Sequence, residues 1–191
     1  MEKVELNKDI KLSPHFTLGE LTKTKYVTAD GNIPSRVVIE NLIRVCGWLE
    51  ELRVLAGVRP QSKVCAGVRP QSKVAGDCTL APDPGAALDP GAAPSARKEV
   101  PIVINSGYRS PEVNRLAGGA ANSNHLSGCA VDIRCAGKEQ MIRYASILLD
   151  IADGSKQEYD ELLLEQHGSV CWLHFAVRPK ENRRIIRFLR V

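Results

Sequence analysis

Apolar residues recur with the period of an α-helix in two long segments of the chain. One is "SRVVIENLIRVCGWLEELRVL" (residues 35–55), and the other is "KEQMIRYASILLDIAD" (residues 138–153). A stripe of apolar side chains spaced by about 3.6 residues predicts an amphipathic helix with one buried face. Shorter helices are predicted where Thr17 and Glu20 have the spacing of a capping box, and where Pro111 follows Ser110.

Three other segments have the pattern of β-strands. Residues 100–104, "VPIVI", form a short apolar and β-branched run, which predicts a buried strand. "GCAVDIRCA" (128–136) alternates in polarity and predicts a strand with two different faces. "YDELLLEQHGSVCWLHFAVR" (159–178) predicts two strands joined by a turn at His167 and Gly168.

Between the first long helix and the first strand lies a segment of unusual composition, residues 56–98. "AGVRPQSKVC" is followed at once by "AGVRPQSKVA", and "DPGAA" also occurs twice. Proline, glycine and alanine dominate, so the segment has little to bury and is expected to be largely disordered. A linker between two domains is the other interpretation, but the first 55 residues are few for an independent domain. We therefore predict a single domain, 1–191, interrupted by a low-complexity insertion at 56–98.

Composition narrows the classes of partner. The net charge of +4 is too small to indicate nucleic-acid binding. It suits an anionic cell-wall polymer, although a slightly basic surface needs no such partner. No stretch approaches the ~20 apolar residues that span a bilayer, so no membrane span is predicted. The oligomeric state cannot be predicted from the sequence.

The N-terminus and the cysteines bear on the cellular compartment. "MEKVELNKDIKLS" has scattered charges and no apolar core, so we expect synthesis in the cytoplasm without a signal peptide. Any action outside the cytoplasm would then need cell lysis or another export route. The 6 cysteines include no CxxC pair, so reduced thiols are expected rather than a zinc ribbon or a disulfide framework.

Three residues have the chemistry of metal ligands. His125 and Asp132 lie seven residues apart in "SNHLSGCAVDIR", and strand alternation separates Asp132 from the apolar face of its strand. His174, in "CWLHFAV", lies on a strand whose opposite face is apolar. Two imidazoles and one carboxylate, with room for water, form a ligand set that a catalytic Zn²⁺ uses. Spacing alone leaves a purely structural role open for each of them.

The surroundings of these residues resemble a known family. "SGYRSPEVNRLAGGAANSNHLSGCAVDIR" followed by "WLHF" is similar to the zinc D-Ala-D-Ala carboxypeptidases, a family of murein peptidases, phage endolysins and vancomycin-resistance dipeptidases. "LSPHFTLGELT" and "PIVINSGYRS" resemble its cell-wall and phage-type branch. The resemblance covers most of 11–55 and 100–177. The motif SxHxxGxAxD is matched in full, by Ser123, His125, Gly128, Ala130 and Asp132.

The resemblance implies both a fold and a site. The fold would be α+β and hedgehog/DD-peptidase-like, with a small antiparallel sheet that bears a zinc site and is flanked by helices. His125, Asp132 and His174 would bind the Zn²⁺ cofactor. Arg109 matches an arginine that stabilises the developing oxyanion or binds the peptide. Ser123 matches a serine that positions substrate, although capping of the loop would explain this serine equally well.

The general base has two candidates. In the dipeptidase branch a glutamate lies three residues before the last histidine ligand, but Cys171 occupies that position here. The phage-type branch is more similar, and its glutamate matches Glu165. The predicted turn would pair Glu165 with Val170 and Glu161 with His174, which places both glutamates on the face of His174. Glu165 is the predicted base, and Glu161 is its competitor.

The resemblance implies a zinc metallopeptidase of the carboxypeptidase or endopeptidase type that hydrolyses peptidoglycan stem peptides, at a bond involving D-alanine. Two alternatives stay open: a non-catalytic, zinc-containing wall-binding module, and a phage structural component. The sequence does not say which bond is cut.

The remaining polar and basic positions have simpler explanations. His15 and His167 are expected at the surface, and Cys129 and Cys171 are expected to pack as small hydrophobic residues. The basic tail after Val177 is expected to be a solvated terminus, with an edge strand as the alternative.

Overall fold

The computed structural model describes residues 7–57 and 100–191, which build one mixed sheet and the helices that cover it. No helix within these two ranges is both long and apolar enough to cross a membrane. The elements in chain order are α1 (Leu18–Leu21), α2 (Arg36–Gly57), β1 (Ile104–Ser106), α3 (Pro111–Leu116), a 3₁₀ helix (Asn124–Ser127), β2 (Ala130–Cys135), α4 (Lys138–Ser155), β3 (Glu161–His167), β4 (Val170–Ala176) and β5 (Ile185–Arg190).

The helices predicted from periodicity and capping are confirmed. Thr17 and Glu20 form a reciprocal capping box at the start of α1, with the backbone N–H of Thr17 donating to Oε2 of Glu20 at 2.8 Å. Ser110 caps α3, and Pro111 occupies its first position. Helices α2 and α4 contact each other and cover one face of the sheet. That face is formed by alternate residues of the three central strands: Val131, Ile133, Leu162, Leu164, Leu173 and Phe175.

The five strands have the order β1-β2-β4-β3-β5. The first four are antiparallel to their neighbours, whereas β5 is parallel to β3. The expectation of a purely antiparallel sheet is therefore wrong at one edge. The expectation of a solvated basic tail is wrong as well, because residues 177–184 reverse the chain and place β5 beside β3.

The first strand begins later than predicted. The backbone N–H of Val100 donates to the carbonyl of Arg53 in α2 at 3.4 Å, and Val103 is the first residue whose carbonyl accepts from β2, from Arg134 at 2.8 Å. Ile102 is buried without being part of a strand. Within this run only Ile102 is buried in the core, Val103 is exposed, and β1 is restricted to Ile104–Ser106.

The hairpin turn lies one residue further along than predicted. His167 pairs with Val170, so Gly168 and Ser169 form the turn. The predicted pairing of Glu161 with His174 is therefore wrong, because Leu163 lies opposite His174. A two-residue turn moved by one position shifts each partner by two residues, which preserves the face of every side chain.

The predicted insertion at 56–98 lies outside the described residues apart from Ala56 and Gly57, which end α2. In the described part of the chain the four cysteines are free and buried, as predicted for Cys129 and Cys171.

Candidate metal centre

Three buried side chains from different elements meet on the face of the sheet opposite the one that α2 and α4 cover. His125 comes from the 3₁₀ helix, Asp132 from β2 and His174 from β4. One donor atom of each lies within 4.8 Å of the other two. Asp132 and His174 are directly opposite each other in the β2–β4 pairing, so the sheet register itself brings these two together.

His125 is held in one orientation by its backbone and by its ring. Its backbone N–H donates to the Ser123 hydroxyl at 3.3 Å, so Ser123 caps the 3₁₀ helix. Its ring Nδ1 lies 2.6 Å from the carbonyl oxygen of Gly107. A carbonyl only accepts, so Nδ1 carries the proton and Nε2 presents its lone pair. Nε2 lies 3.2 Å from Oδ1 of Asp132.

Two glycines allow the chain to approach this closely. Gly128 ends the 3₁₀ helix at φ +70°, and a Cβ there would lie 2.8 Å from Val38. A Cβ on Gly107 would lie only 2.3 Å from the carbonyl oxygen of Leu21. These contacts give the glycines of "HLSG" and "SGYR" a physical reason, since any side chain would move the loops that orient His125.

The carboxylate of Asp132 lies between the histidines and an arginine. Its Oδ1 is 2.9 Å from Nδ1 of His174, and its Oδ2 accepts from Nη2 of Arg109 at 2.5 Å. Burial disfavours the charged carboxylate, but His125 and His174 together hold the pKa of Asp132 well below its usual value. Burial also opposes a charge on His174, yet its hydrogen bond to Asp132 and the nearby carboxylate of Glu161 raise its pKa to about 9.

Arg109 is part of this cluster. In addition to Asp132, its guanidinium donates from Nε to the hydroxyl of Ser106 at 2.8 Å. Its backbone N–H donates to the carbonyl of His125 at 3.1 Å. The side chain is 18% exposed, so one edge remains accessible while the rest orients the carboxylate.

The donor atoms fit a zinc ion in number, type and spacing. Zinc–ligand bonds of about 2.0–2.2 Å in a tetrahedral arrangement place neighbouring donor atoms about 3.3–3.6 Å apart. The histidine nitrogens are 3.2 and 2.9 Å from Oδ1 of Asp132, so an ion would need them to move apart by only a few tenths of an ångström. Two imidazoles and one carboxylate leave one position for water or substrate.

Comparison with known families finds a match over about a third of the chain. A model of the Peptidase M15 family matches residues 91–157. This match supports the M15 family of zinc peptidases. The matched M15 segment contains His125 and Asp132 but ends before His174 and both candidate bases. No curated protein matches the chain.

Two glutamates of β3, both outside the M15 segment, flank the centre. Glu161 and Glu165 lie on either side of Leu163, the residue opposite His174, and therefore share its face. Oε2 of Glu161 is 3.6 Å from Nε2 of His174, and its interaction with that histidine lowers the pKa of Glu161. Burial instead raises the pKa of Glu165 above its usual value.

Asp160, a buried carboxylate that the sequence did not single out, binds residues next to the centre. Asp160 is 0% exposed and accepts from Nδ2 of Asn124 at 2.8 Å and from Nη2 of Arg183 at 2.7 Å. Nε of Arg178 lies 3.0 Å away. Asn124, which precedes His125 in the chain, and Arg183 also donate to Glu161, which lies beside His174. Hydrogen bonds therefore connect the surroundings of the two histidines. No spacing rule connects these residues, and only the acidic "YDE" beside an apolar strand hinted at a role.

Proposed function

We propose that this protein is a zinc metallopeptidase that hydrolyses peptidoglycan stem peptides at a bond involving D-alanine. The observation that carries the proposal is the convergence of Nε2 of His125, Oδ1 of Asp132 and Nδ1 of His174. The match to the M15 family supports the same chemistry. Because the proposed substrate is a wall polymer, we also propose that the protein acts after release or export.

We propose Glu165 as the general base. A zinc ion bound by the three ligands would acidify water and polarise a carbonyl. Glu165 would take the proton from the attacking water and return it to the leaving amine. A carboxylate with a raised pKa serves both steps, since it must accept and donate at similar pH. Glu161 is bound to His174, Asn124 and Arg183, which suits the orientation of a ligand better than proton transfer.

Arg109 and Ser123 are proposed to contact the substrate. A guanidinium presents a planar set of N–H donors, and the exposed edge of Arg109 would stabilise the oxyanion that develops on the carbonyl. The Ser123 hydroxyl accepts from His125, which leaves its own proton to donate to a peptide carbonyl.

The proposal is tested by incubating the zinc-loaded protein with muropeptides and following the products by mass spectrometry. We expect loss of D-alanine or of a peptide fragment, and no reaction in the presence of a chelator. The His125→Ala variant should lose stoichiometric zinc, whereas His167→Ala, at an exposed histidine of the hairpin, should keep it. Glu165→Gln should keep zinc and lose about 10²–10⁴-fold in kcat.

The outcomes also separate the alternatives. Intact muropeptides in every sample, with zinc bound stoichiometrically, would contradict the proposed peptidase activity. That result would favour a non-catalytic wall-binding module or a phage structural component. Loss of activity in Glu161→Gln at saturating zinc, with Glu165→Gln fully active, would exchange the proposed roles of the two glutamates.

A further inference from the structure

A groove of about 500 Å³ lies next to the metal centre, between the segment after α1 and the edge strand β1. One wall is formed by residues 23–26 and the other by residues 103–106. Arg109 lines the groove and also donates to Asp132, so the groove opens directly beside a proposed metal ligand. A peptide bound with its carbonyl at the metal centre can therefore continue into the groove.

The charge of the groove is of one sign. Lys23, Lys25, Arg109 and Arg134 line it, and no acidic residue does. Among the described residues, only Arg109 of these four forms an ion pair. Lys25 instead lies 5.2 Å from the centre of the Tyr26 ring.

The segment that connects β4 to β5 differs in this respect. There Arg178, Arg183 and Arg184 each form an ion pair with an aspartate. Cations without a carboxylate partner along a concave wall concentrate positive potential and attract an anionic ligand. The groove thus has the charge of a binding surface, whereas these three arginines are neutralised by carboxylates.

The distance of the cations from the metal centre indicates which part of a bound peptide would reach them. Arg134 follows Asp132 by two residues on β2 and projects from the same face of the strand. Two residues of extended chain span about 7 Å. β1 is an edge strand, and an extended peptide can lie along such an edge. A side chain one or two residues from the cleaved bond would therefore reach Lys23 and Arg134.

We propose that this groove is a substrate subsite that binds a carboxylate of the peptide, one or two residues from the cleaved bond, through Lys23, Lys25 and Arg134. The inference rests on the proposed peptidase function and adds a substrate class to it: peptides that carry a second anionic group near the reacting carbonyl.

The test uses two synthetic D-alanine-terminated peptides that differ only in a glutamate or a glutamine next to the cleaved dipeptide. The double variant Lys23→Gln/Arg134→Gln removes two of the positive charges that line the groove, one after α1 and one on β2. Lys156→Gln/Arg190→Gln makes the same change in net charge at residues that do not line the groove, and Lys23→Arg/Arg134→Lys keeps the charge. All proteins are first compared for zinc content and Tm, which we expect to agree.

We expect the double variant to raise KM for the glutamate peptide about tenfold, as for loss of about 1.4 kcal/mol of binding, with kcat within twofold. KM for the glutamine peptide should not change, and the charge-preserving variant should behave like the wild type. Equal changes in KM for both peptides, or no change in KM for either, would contradict the proposed subsite.

The experiment also distinguishes failure of the proposed peptidase function from failure of the proposed subsite. If the zinc-loaded wild type cleaves neither peptide, the proposed peptidase function is wrong. Calorimetric measurement of the equilibrium binding of the two peptides then tests whether the groove binds a carboxylate. Tighter binding of the glutamate peptide, lost in the double variant but not in the distant control, supports the subsite. Equal binding of the two peptides contradicts it.

Discussion

At the scale of single residues, the spacing of His125, Gly128 and Asp132 has a mechanical explanation. The histidine lies on a single turn of 3₁₀ helix, and Gly128 ends that turn against α2 before β2 begins. The left-handed conformation of Gly128 redirects the chain, so that Asp132 enters the sheet at the register opposite His174. The site therefore needs a glycine at position 128 as well as its three candidate metal ligands.

The Gly128→Ala variant should reveal this constraint. A Cβ would add left-handed strain to a 2.8 Å clash with Val38, so we expect a loss of about 2–4 kcal/mol in the free energy of unfolding. Gly118→Ala is the matched control, because Gly118 has the same φ of +70° with nothing within 4 Å. It should lose only about 1 kcal/mol. Urea unfolding measures both, and equal losses would contradict a packing role for Gly128.

At the scale of secondary-structure elements, Asp160 explains how the tail joins the sheet. It lies directly before β3, and its carboxylate binds Arg178 and Arg183 from the segment that leads to β5. The backbone carbonyl of Asp160 also accepts from the N–H of Ile185 at 2.9 Å, the first residue of β5. One residue therefore anchors the reversal that makes the sheet mixed.

The Asp160→Asn variant should destabilise the protein by about 2–3 kcal/mol, since charge-assisted hydrogen bonds are lost while the arginines stay partly hydrated. Asp153→Asn, which removes the ion pair of a 70% exposed aspartate with Arg184, should cost less than about 1 kcal/mol. Urea unfolding at pH 7 compares the two, and equal effects would show that the buried network adds nothing to stability.

The same variant should change the response to acid. Hydrogen bonds from Arg183 and Asn124, together with the charge of Arg178, overcome burial and hold the pKa of Asp160 below its usual value. A carboxyl with a lowered folded-state pKa stabilises the fold above its unfolded pKa of about 3.9, and this contribution is lost as the pH falls through the folded value. Below about pH 4, the wild type should therefore lose stability more steeply than Asp160→Asn.

At the scale of the whole molecule, the two described parts of the chain meet where α2 ends. Val100 donates to the carbonyl of Arg53, and Nη2 of Arg143 in α4 donates to the carbonyl of Ala56 at 2.9 Å. The core therefore joins both parts, which supports the single interrupted domain that we propose.

Replacing residues 58–98 with a four-residue Gly-Ser linker should preserve folding. Four residues span up to about 13 Å. Val100 donates to the carbonyl of Arg53, which lies one helical turn before Gly57, so the described residues on either side of the linker are close. We expect a change of less than about 1 kcal/mol in the free energy of unfolding and unchanged zinc content.

A matched variant that also removes Ala56 and Gly57 should melt earlier, because Ala56 is buried and bonded to Arg143. Thermal unfolding and metal analysis decide between the two variants. Insoluble protein from the shorter deletion would show that the repeats belong to the core.

The sequence by itself determined the features that depend on local physics. Period and capping predicted the helices, and alternation predicted the faces of β2 and β4. The motif together with "WLHF" indicated the three candidate metal ligands that the fold brings together. Each of these signals lies within a few neighbouring residues, where backbone geometry relates spacing to direction.

Only the tertiary structure decided what depends on distant partners. The parallel pairing of β5, the start of β1 and the shift of the hairpin turn follow from contacts between segments far apart in sequence. So do the different surroundings of Glu161 and Glu165, and the meeting of Asp160 with Arg183. No local pattern encodes these pairings, because their free energy exists only when the sheet and the core have formed around them.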